Sequence, residues 1–347
     1  MHSTPVYCEQ GDYCFINGNN IIDGKVSINE KTLRVTKEEA YKYNAALLKV
    51  DTILMSINGT IGNVALYNGE NIMLGKSACY INPSSRIVRE YLFHILSSPR
   101  IQAYFQGEVT GTTIKNLSLR TIRGSKILLP SNEEQKKIAR LFSLVDERIA
   151  TQNKIIEDLK KLKSAISKKL LCNDKWTTYK IQDIAEIGRG RVISSVEIEK
   201  QRHPLYPVYS SQTSNDGIMG YLDNYMFDGE YITWTTDGAN AGTVFYRNGK
   251  FNCTNVCGTL KIHLQFDCHF VSLVLQQATQ KYVSSNLANP KLMNNTMASI
   301  KIRMPDMETQ KRLSKVFQTL DSRLLVHQCT YEMYLREKQY LLNQMFI

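Results

Sequence analysis

Residues 129–149 read LPSNEEQKKIARLFSLVDERI, and residues 304–324 read MPDMETQKRLSKVFQTLDSRL. At a constant offset of 175 the pairs Pro130/Pro305, Glu133/Glu308, Gln135/Gln310, Lys136/Lys311, Phe142/Phe317, Asp146/Asp321 and Arg148/Arg323 are identical. Most of the remaining positions exchange like for like, among them Lys137/Arg312, Ile138/Leu313, Leu141/Val316, Val145/Leu320 and Ile149/Leu324. Self-similarity at a fixed period defines an architecture before any local assignment, and this period is too long for a solenoid. It is the size of a domain plus a long helix. The chain reads as two copies of one unit.

The repeat continues beyond the matched block as a heptad-spaced apolar stripe. It runs Ile138, Phe142, Val145, Ile149, Ile156, Leu159, Ile166, Leu170 in the first copy and Leu313, Phe317, Leu320, Leu324, Tyr331, Tyr334, Leu341, Met345 in the second. The stripe breaks at Gln152 and Lys163, and again at the same two repeat positions, His327 and Lys338. Steps of four and three keep one face toward a partner helix in a left-handed coiled coil. Each helix starts after a proline, with Ser131 and Asp306 as N-cap candidates. About 40 residues without Gly or Pro give a helix of roughly 60 Å. Two such helices of matched seam are expected to pack on each other, antiparallel if the copies are related by a pseudo-two-fold axis; otherwise each lies on its own globular unit. The four polar breaks then fix register or meet a partner, although Lys163 and Lys338 could instead snorkel to solvent.

A length of 347 residues suits two domains, each with chain enough for a core. The boundaries read as head 1–130, helix 131–172, head 173–305 and helix 306–347, an α/β (α+β) tandem repeat. No run of 18 apolar residues occurs, and MHSTPVYCEQ is no signal peptide, so a cytoplasmic protein is expected. Eight scattered cysteines, including Cys253 and Cys257, complete no zinc set and read as free thiols in a reducing compartment. The net charge of +11 points weakly to a polyanionic partner, usually nucleic acid.

Both heads mix short strands with Gly, Asn and Asp turns. SINGTIGNVALYNG (56–69) and TTDGANAGTVFYRNG (235–249) look like cognates, each a polar glycine loop, a strand and an Asn-Gly step suited to a hairpin turn. Elsewhere the heads diverge far more than the helices do. A shared frame with two unlike heads suits a protein that reads two different things.

These features resemble the specificity (S) subunit of type I restriction–modification enzymes. The carriers are the doubled Pro-x-x-Glu-x-Gln-Lys helix opening, the Asp-x-Arg that follows, the head–helix–head–helix order, the Trp176 opening of the second head and the glycine-loop strands. The resemblance implies two target-recognition domains, each reading half of a split double-stranded DNA sequence. It implies an antiparallel coiled coil that spaces them and docks two methyltransferase (M) subunits, with restriction (R) subunits joining through these. S-adenosylmethionine would sit on the methyltransferase partner, and this chain would hold no cofactor or metal of its own. One departure stands out. The first head offers no counterpart to the stretch from Trp176 to Arg191, so its start is truncated or rearranged, or it borrows an edge from elsewhere.

The chain carries no catalytic kit. An Asn-Pro-Pro-Phe/Tyr motif for exocyclic amine methylation is missing, since Asn82-Pro83-Ser84 and Asn289-Pro290-Lys291 do not satisfy it. That removes a self-sufficient methyltransferase. Gly188-Arg189-Gly190-Arg191 lacks the third glycine of a dinucleotide fingerprint, and Gly69-ENIML-Gly75-Lys76-Ser77 has five residues where a phosphate loop has four.

Amides pair with adenine and basic groups with guanine, while phosphate contacts set register. Candidate contacts in the first head are Asn17, Asn19, Asn20, Lys25, Ser56, Asn58, Thr60, Thr112, Thr113 and Lys115. In the second head they are Arg189, Arg191, Ser210, Ser211, Gln212, Thr235, Thr236, Asn240, Asn289 and Lys291. Each of these also suits an ordinary turn, and Tyr206, Tyr209 and Trp234 suit a core better than base stacking. The competing reading is a scaffold whose paired heads bind protein rather than DNA. If the first head is abbreviated, hydrogen exchange should find it the less protected of the two, and equal protection of both heads removes that expectation.

Overall fold

Ser131 and Asp306 each begin a helix. The computed structural model describes residues 4–111, 115–171, 173–284 and 289–346. Its two long helices, Asn132–Leu170 and Met307–Met345, have 39 residues each. Ser131 Oγ accepts from Glu134 N at 3.3 Å, and Glu134 Oε2 accepts from Ser131 N at 3.0 Å, a reciprocal capping box. At the second start Asp306 Oδ1 accepts from Thr309 N at 2.9 Å. Hydrogen bonds from Ser131 hold the Glu134 carboxyl below its usual range, and those from Thr309 do the same for Asp306.

Contacts divide the chain into two units, Met1–Lys154 with His327–Ile347, and Ile155–Val326. Each takes one head and half of each long helix. The strands of the first unit are β1 (Tyr13–Ile16), β2 (Ile21–Ile22), β3 (Lys25–Val26), β4 (Arg34–Val35), β5 (Ile53–Ser56), β6 (Val64–Leu66), β7 (Ile72–Leu74) and β8 (Ala78–Ile81). They form sheets ordered β4-β1-β7 and β6-β5-β8, plus a β2–β3 pair. Those of the second are β9 (Thr177–Lys180), β10 (Ala185–Arg189), β11 (Tyr206–Tyr209), β12 (Ile218–Leu222), β13 (Glu230–Thr235), β14 (Val244–Asn248), β15 (Asn252–Cys253), β16 (Cys257–Ile262) and β17 (Lys301–Met304). Their sheets run β10-β16-β13-β14, β12-β11-β15 and β17-β9. The plan repeats: β5, β6 and β8 correspond to β13, β14 and β16, and the parallel pair β1–β7 corresponds to β11–β15.

The Asn-Gly steps turn the chain as expected but do not close hairpins. Gly69 and Gly249 take φ of 88° and 98°. Each step carries the chain out of one sheet, at β6 or β14, into another, at β7 or β15. The second head packs around Trp234, which is fully buried and donates from Nε1 to Leu292 O at 2.9 Å. A Cβ at Gly258 would lie 2.2 Å from that indole, so only glycine fits there.

The identical glutamines join head to helix. Gln135 Oε1 accepts from Val88 N at 2.9 Å, and its Nε2 donates to Arg86 O and Pro130 O at 3.1 Å each. Gln310 Oε1 accepts from Asp267 N at 3.0 Å, and its Nε2 donates to Pro305 O at 2.8 Å. Val88 and Asp267 each precede a helix of the head, Arg89–Leu96 and Cys268–Ala278, so the amide meets an N–H at the helix start.

In the first unit Phe142 stacks on Phe346 at 5.6 Å, Asp146 pairs with Lys338 at 2.6 Å, Arg148 Nη1 donates to Tyr334 Oη at 3.2 Å, and Gln152 meets His327 at 2.8 Å. One helix's numbers rise as the other's fall, so these halves run antiparallel. In the second unit Lys163 pairs with Asp321, and Ile166, Leu313 and Phe317 join the head's core. The polar breaks are thus paired across the seam rather than merely snorkelling. Ile138, Val145, Ile149, Ile156, Leu159, Leu320, Leu324, Tyr331 and Tyr334 are all at least half-buried, as the stripe requires. Leu170 and Met345 are exposed instead, and Leu171, Leu342 and Phe346 are buried in their place. A stripe of period 3.5 on a helix of 3.6 residues per turn drifts by about 20° per heptad, which moves the buried position along by the last turn.

His94 marks where head and helices meet in the first unit. It is buried, its ring lies 4.9 Å from Phe142, and its Nδ1 has no hydrogen-bond partner. Burial, with the Lys338 charge adding, pushes its pKa down to about 3. Between that value and an unfolded pKa near ~6.5 the unfolded chain binds the extra proton, so acid weakens the fold by up to about 1.4 kcal/mol per pH unit. His94→Leu should flatten the loss of stability between pH 6.5 and 4 in denaturant melts, and an unchanged slope would refute this assignment.

Candidate nucleic-acid interface

The glycine loops that look alike in sequence are alike in space. In the first unit Gly62 N donates to Ser56 O (2.9 Å), Leu117 N to Ile57 O (2.8 Å) and Gly59 N to Lys115 O (3.3 Å). In the second, Gly242 N donates to Thr235 O (2.8 Å), Leu292 N to Thr236 O (2.8 Å) and Gly238 N to Pro290 O (3.0 Å). A side chain secures each loop from behind: Gln102 Nε2 donates to Gly62 O at 2.9 Å, and Thr279 Oγ1 to Gly242 O at 2.7 Å. Lone bridges complete the match, Asn58 with Asn116 and Asp237 with Lys291. One backbone frame therefore presents two different tips.

The tip of the second head is ionic. Asp237 lies 3.4 Å from Lys291 Nζ through one oxygen and 3.4 Å from Arg189 Nη2 through the other. Arg189 also donates from Nε to Asn255 O at 2.6 Å and from Nη2 to Thr236 Oγ1 at 3.0 Å. Two partly exposed cations share one carboxylate, leaving a net positive charge held in fixed geometry. Asn240 Nδ2 donates to Ser211 O at 3.2 Å, which brings Ser210, Ser211 and Gln212 to the same tip. Asn289 is exposed beside Gly238.

The tip of the first head is neutral at the equivalent place. Asn58 and Asn116 stand where Asp237 and Lys291 stand, with Thr60 and Lys115 exposed around them. The turn Asn17–Asn20 closes against it: Gly18 N donates to Ser77 Oγ at 2.8 Å, and Ser77 Oγ donates to Asn17 Oδ1 at 3.0 Å. A side chain at Gly18 would reach within 3.1 Å of Asn58 O. Asn19 is exposed on that turn, and Lys25 is exposed on β3.

Several sequence candidates do other work. Ser56, Thr235 and Thr236 are buried, because they close the last strand turn before each loop, and so do not face outward. Asn17 and Asn20 shape their own turn, the latter accepting from Asn17 N at 3.0 Å. Arg191 is tied to Glu197, with one N–O distance of 2.9 Å. Thr112 and Thr113 lie outside the described residues.

Sequence reasoning missed Asp237, Asn116, Asn255 and Arg247. Alignment of Asp237 with Asn58 was available as a signal; a buried arginine in a strand gives none. Arg247 is buried, with its guanidinium 3.5 Å from the Tyr209 ring centroid and 4.4 Å from that of Phe245. It donates to Asp216 Oδ2 at 2.7 Å and Asp216 O at 2.8 Å. It thereby holds the Ser210–Gly217 turn, in which Asn215 and Asp216 take left-handed φ of 49° and 53°. Asp216 is well exposed, so the ion pair itself counts for little. The buried donors and the stacking carry the effect, and Arg247→Met should cost about 1–3 kcal/mol. Proteolysis or hydrogen exchange should show the loosening at residues 210–217 with the first unit unaffected; a uniform effect on both units would contradict it.

Two heads of one plan with unlike tips, each built on halves of both long helices, define a two-module recognition protein. A model of the type I restriction modification DNA specificity domain matches twice, at residues 2–161 and 173–330. The chain belongs to that family, whose domains recognise DNA and do not catalyse. A Mycoplasma pneumoniae protein named as a type I specificity subunit is 35% identical over 243 residues, 67% of this chain and 90% of that protein. The specificity subunit of the type I restriction enzyme MpnII from the same organism is 39% identical over 178 residues, 50% of this chain and 53% of that protein. A solved type I S subunit from M. genitalium covers 98% of this chain and 90% of its own, with a TM-score of 0.69 at 20% identity, which speaks for the fold alone. Among the described residues no helix is long and apolar enough to cross a membrane.

Proposed function

We propose that the chain is the specificity subunit of a type I restriction–modification complex, in which each head reads one half of a split DNA target. Its working place is the cytoplasm. The observation that carries the reading is the shared loop frame with different chemistry at its tip, Asn58/Asn116 in one head and Asp237/Lys291/Arg189 in the other. One frame docks both heads on duplex in the same way, while unlike tips read unlike bases. Arg189 and Lys291 favour guanine edges or phosphate, and the amides of the first tip favour adenine.

The remaining assignments follow from the same reading. Two methyltransferase subunits dock on the long helices, and restriction subunits join through them. S-adenosylmethionine belongs to the methyltransferase, and this chain supplies recognition only. The long helices set the spacer between half-sites, which lie one helical turn or a multiple apart when read from one face.

A salt-titrated gel shift on random duplex pools, followed by sequencing of the bound fraction, tests this. A steep salt slope and a two-part motif are expected. A variant with one heptad added to each long helix should lengthen the spacer between the parts. No sequence preference would favour the protein-binding scaffold, and an unchanged spacer would discard the ruler.

A further inference from the structure

Three separate stretches of the second unit bring charge to one point. Arg189 ends β10, Asp237 follows β13, and Lys291 bridges to Asp237 across the backbone. Gly238 N donates to Pro290 O at 3.0 Å and Leu292 N to Thr236 O at 2.8 Å, so Asp237 and Lys291 stand as a cross-strand pair. Beneath them the buried Thr236 Oγ1 accepts from Arg189 Nη2 at 3.0 Å and donates to Asp237 Oδ2 at 2.9 Å. Arg189 Nε is committed to Asn255 O at 2.6 Å, which leaves Nη1 for a ligand. The side chains of Arg189 and Lys291 are 37% and 42% exposed, and that of Asp237, between them, is 21% exposed.

The loop does not need this cluster to keep its shape. Ion pairs this exposed add little to stability. The first head holds the same frame with Asn58 and Asn116 at the equivalent place. The charges therefore act on what the tip touches. A phosphate seated between the two cations would lie beside Asp237, where like charge repels it. A guanine edge is uncharged and offers O6 and N7 to donors, so the carboxylate does not oppose it. Released from the carboxylate, the same cations would settle on the backbone of any sequence.

We propose that Asp237 is a specificity-determining residue of the second head, holding Arg189 and Lys291 to a guanine edge and turning them away from phosphate. The proposal rests on the reading of the chain as a DNA specificity subunit and deepens it. Asp237 positions, while Arg189 and Lys291 make the contact. The half-site of the second head contains a guanine, and the first head, with amides at that place, is the comparison within the same molecule.

The test runs the full chain, Asp237→Asn and Arg189→Met through salt-titrated selection on random duplex pools. Asparagine keeps the size of the side chain and reproduces Asn58 of the first head. Arg189→Met removes a donor and should weaken one guanine in one part of the motif, which marks the part read by the second head. Asp237→Asn should lower preference for that same guanine at least about tenfold, within the range of a lost base contact. It should also strengthen binding to unselected duplex and steepen the plot of log K against log salt by about 0.9 for each phosphate gained. Arg189→Met should not steepen it, and the other part of the motif should be unchanged in both variants. Preference lost without a steeper slope marks a loosened loop and overturns the proposal. So do an undiminished preference, changes in different parts of the motif, and a second part without guanine. A chain that selects no two-part motif at all removes the underlying reading along with it.

Discussion

A buried amide must find partners, and that constraint ties both heads to the helices that carry them. Gln135 and Gln310 are each 2% exposed, and each spends its carbonyl on an N–H at the start of a head helix. Its NH₂ returns to the carbonyl of the proline that opens the long helix. Removing either amide would leave buried polar groups unpaired, at about 1–3 kcal/mol for each. Head orientation is therefore set within a turn of the helix start, by the same residue in both copies. Phe142 and Phe317 then bury the first turns of each helix in the core of the unit that owns them.

With the frame fixed, variation is pushed to the loop tips. The backbone hydrogen bonds that anchor the two glycine loops correspond, although the second loop, one residue longer, adds Ala241 N to Gly238 O and Thr243 N to Asn240 O, so side chains can change at the tips of a shared frame. A neutral amide pair occupies the position in one head, and a carboxylate shared by two cations occupies it in the other. Arg247 adds a second means of control, fixing a neighbouring turn from inside the core rather than from the surface.

The helical frame was the most legible part of the sequence, because period and identity speak for themselves at Phe142/Phe317 and Gln135/Gln310. The seam failed only at Leu170 and Met345, where phase drift moved the buried position along. Strand partners were less legible: Asn68-Gly69 and Asn248-Gly249 announced turns, but local chemistry does not say which sheet the chain enters next. Polar loop residues were the hardest. Ser56, Thr235 and Thr236 look the same in sequence as exposed neighbours, and only tertiary packing decides which face solvent.

One contact in the seam has a consequence for pairing. Gln152 and His327 are repeat mates that touch each other, with Oε1 and Nδ1 2.8 Å apart. At such a position a helix facing another copy of its own sequence would set like against like. Imidazole against imidazole gives donor opposite donor whenever both facing nitrogens carry a proton. Glutamine against histidine is complementary in either imidazole tautomer, because the amide carries both an acceptor and donors.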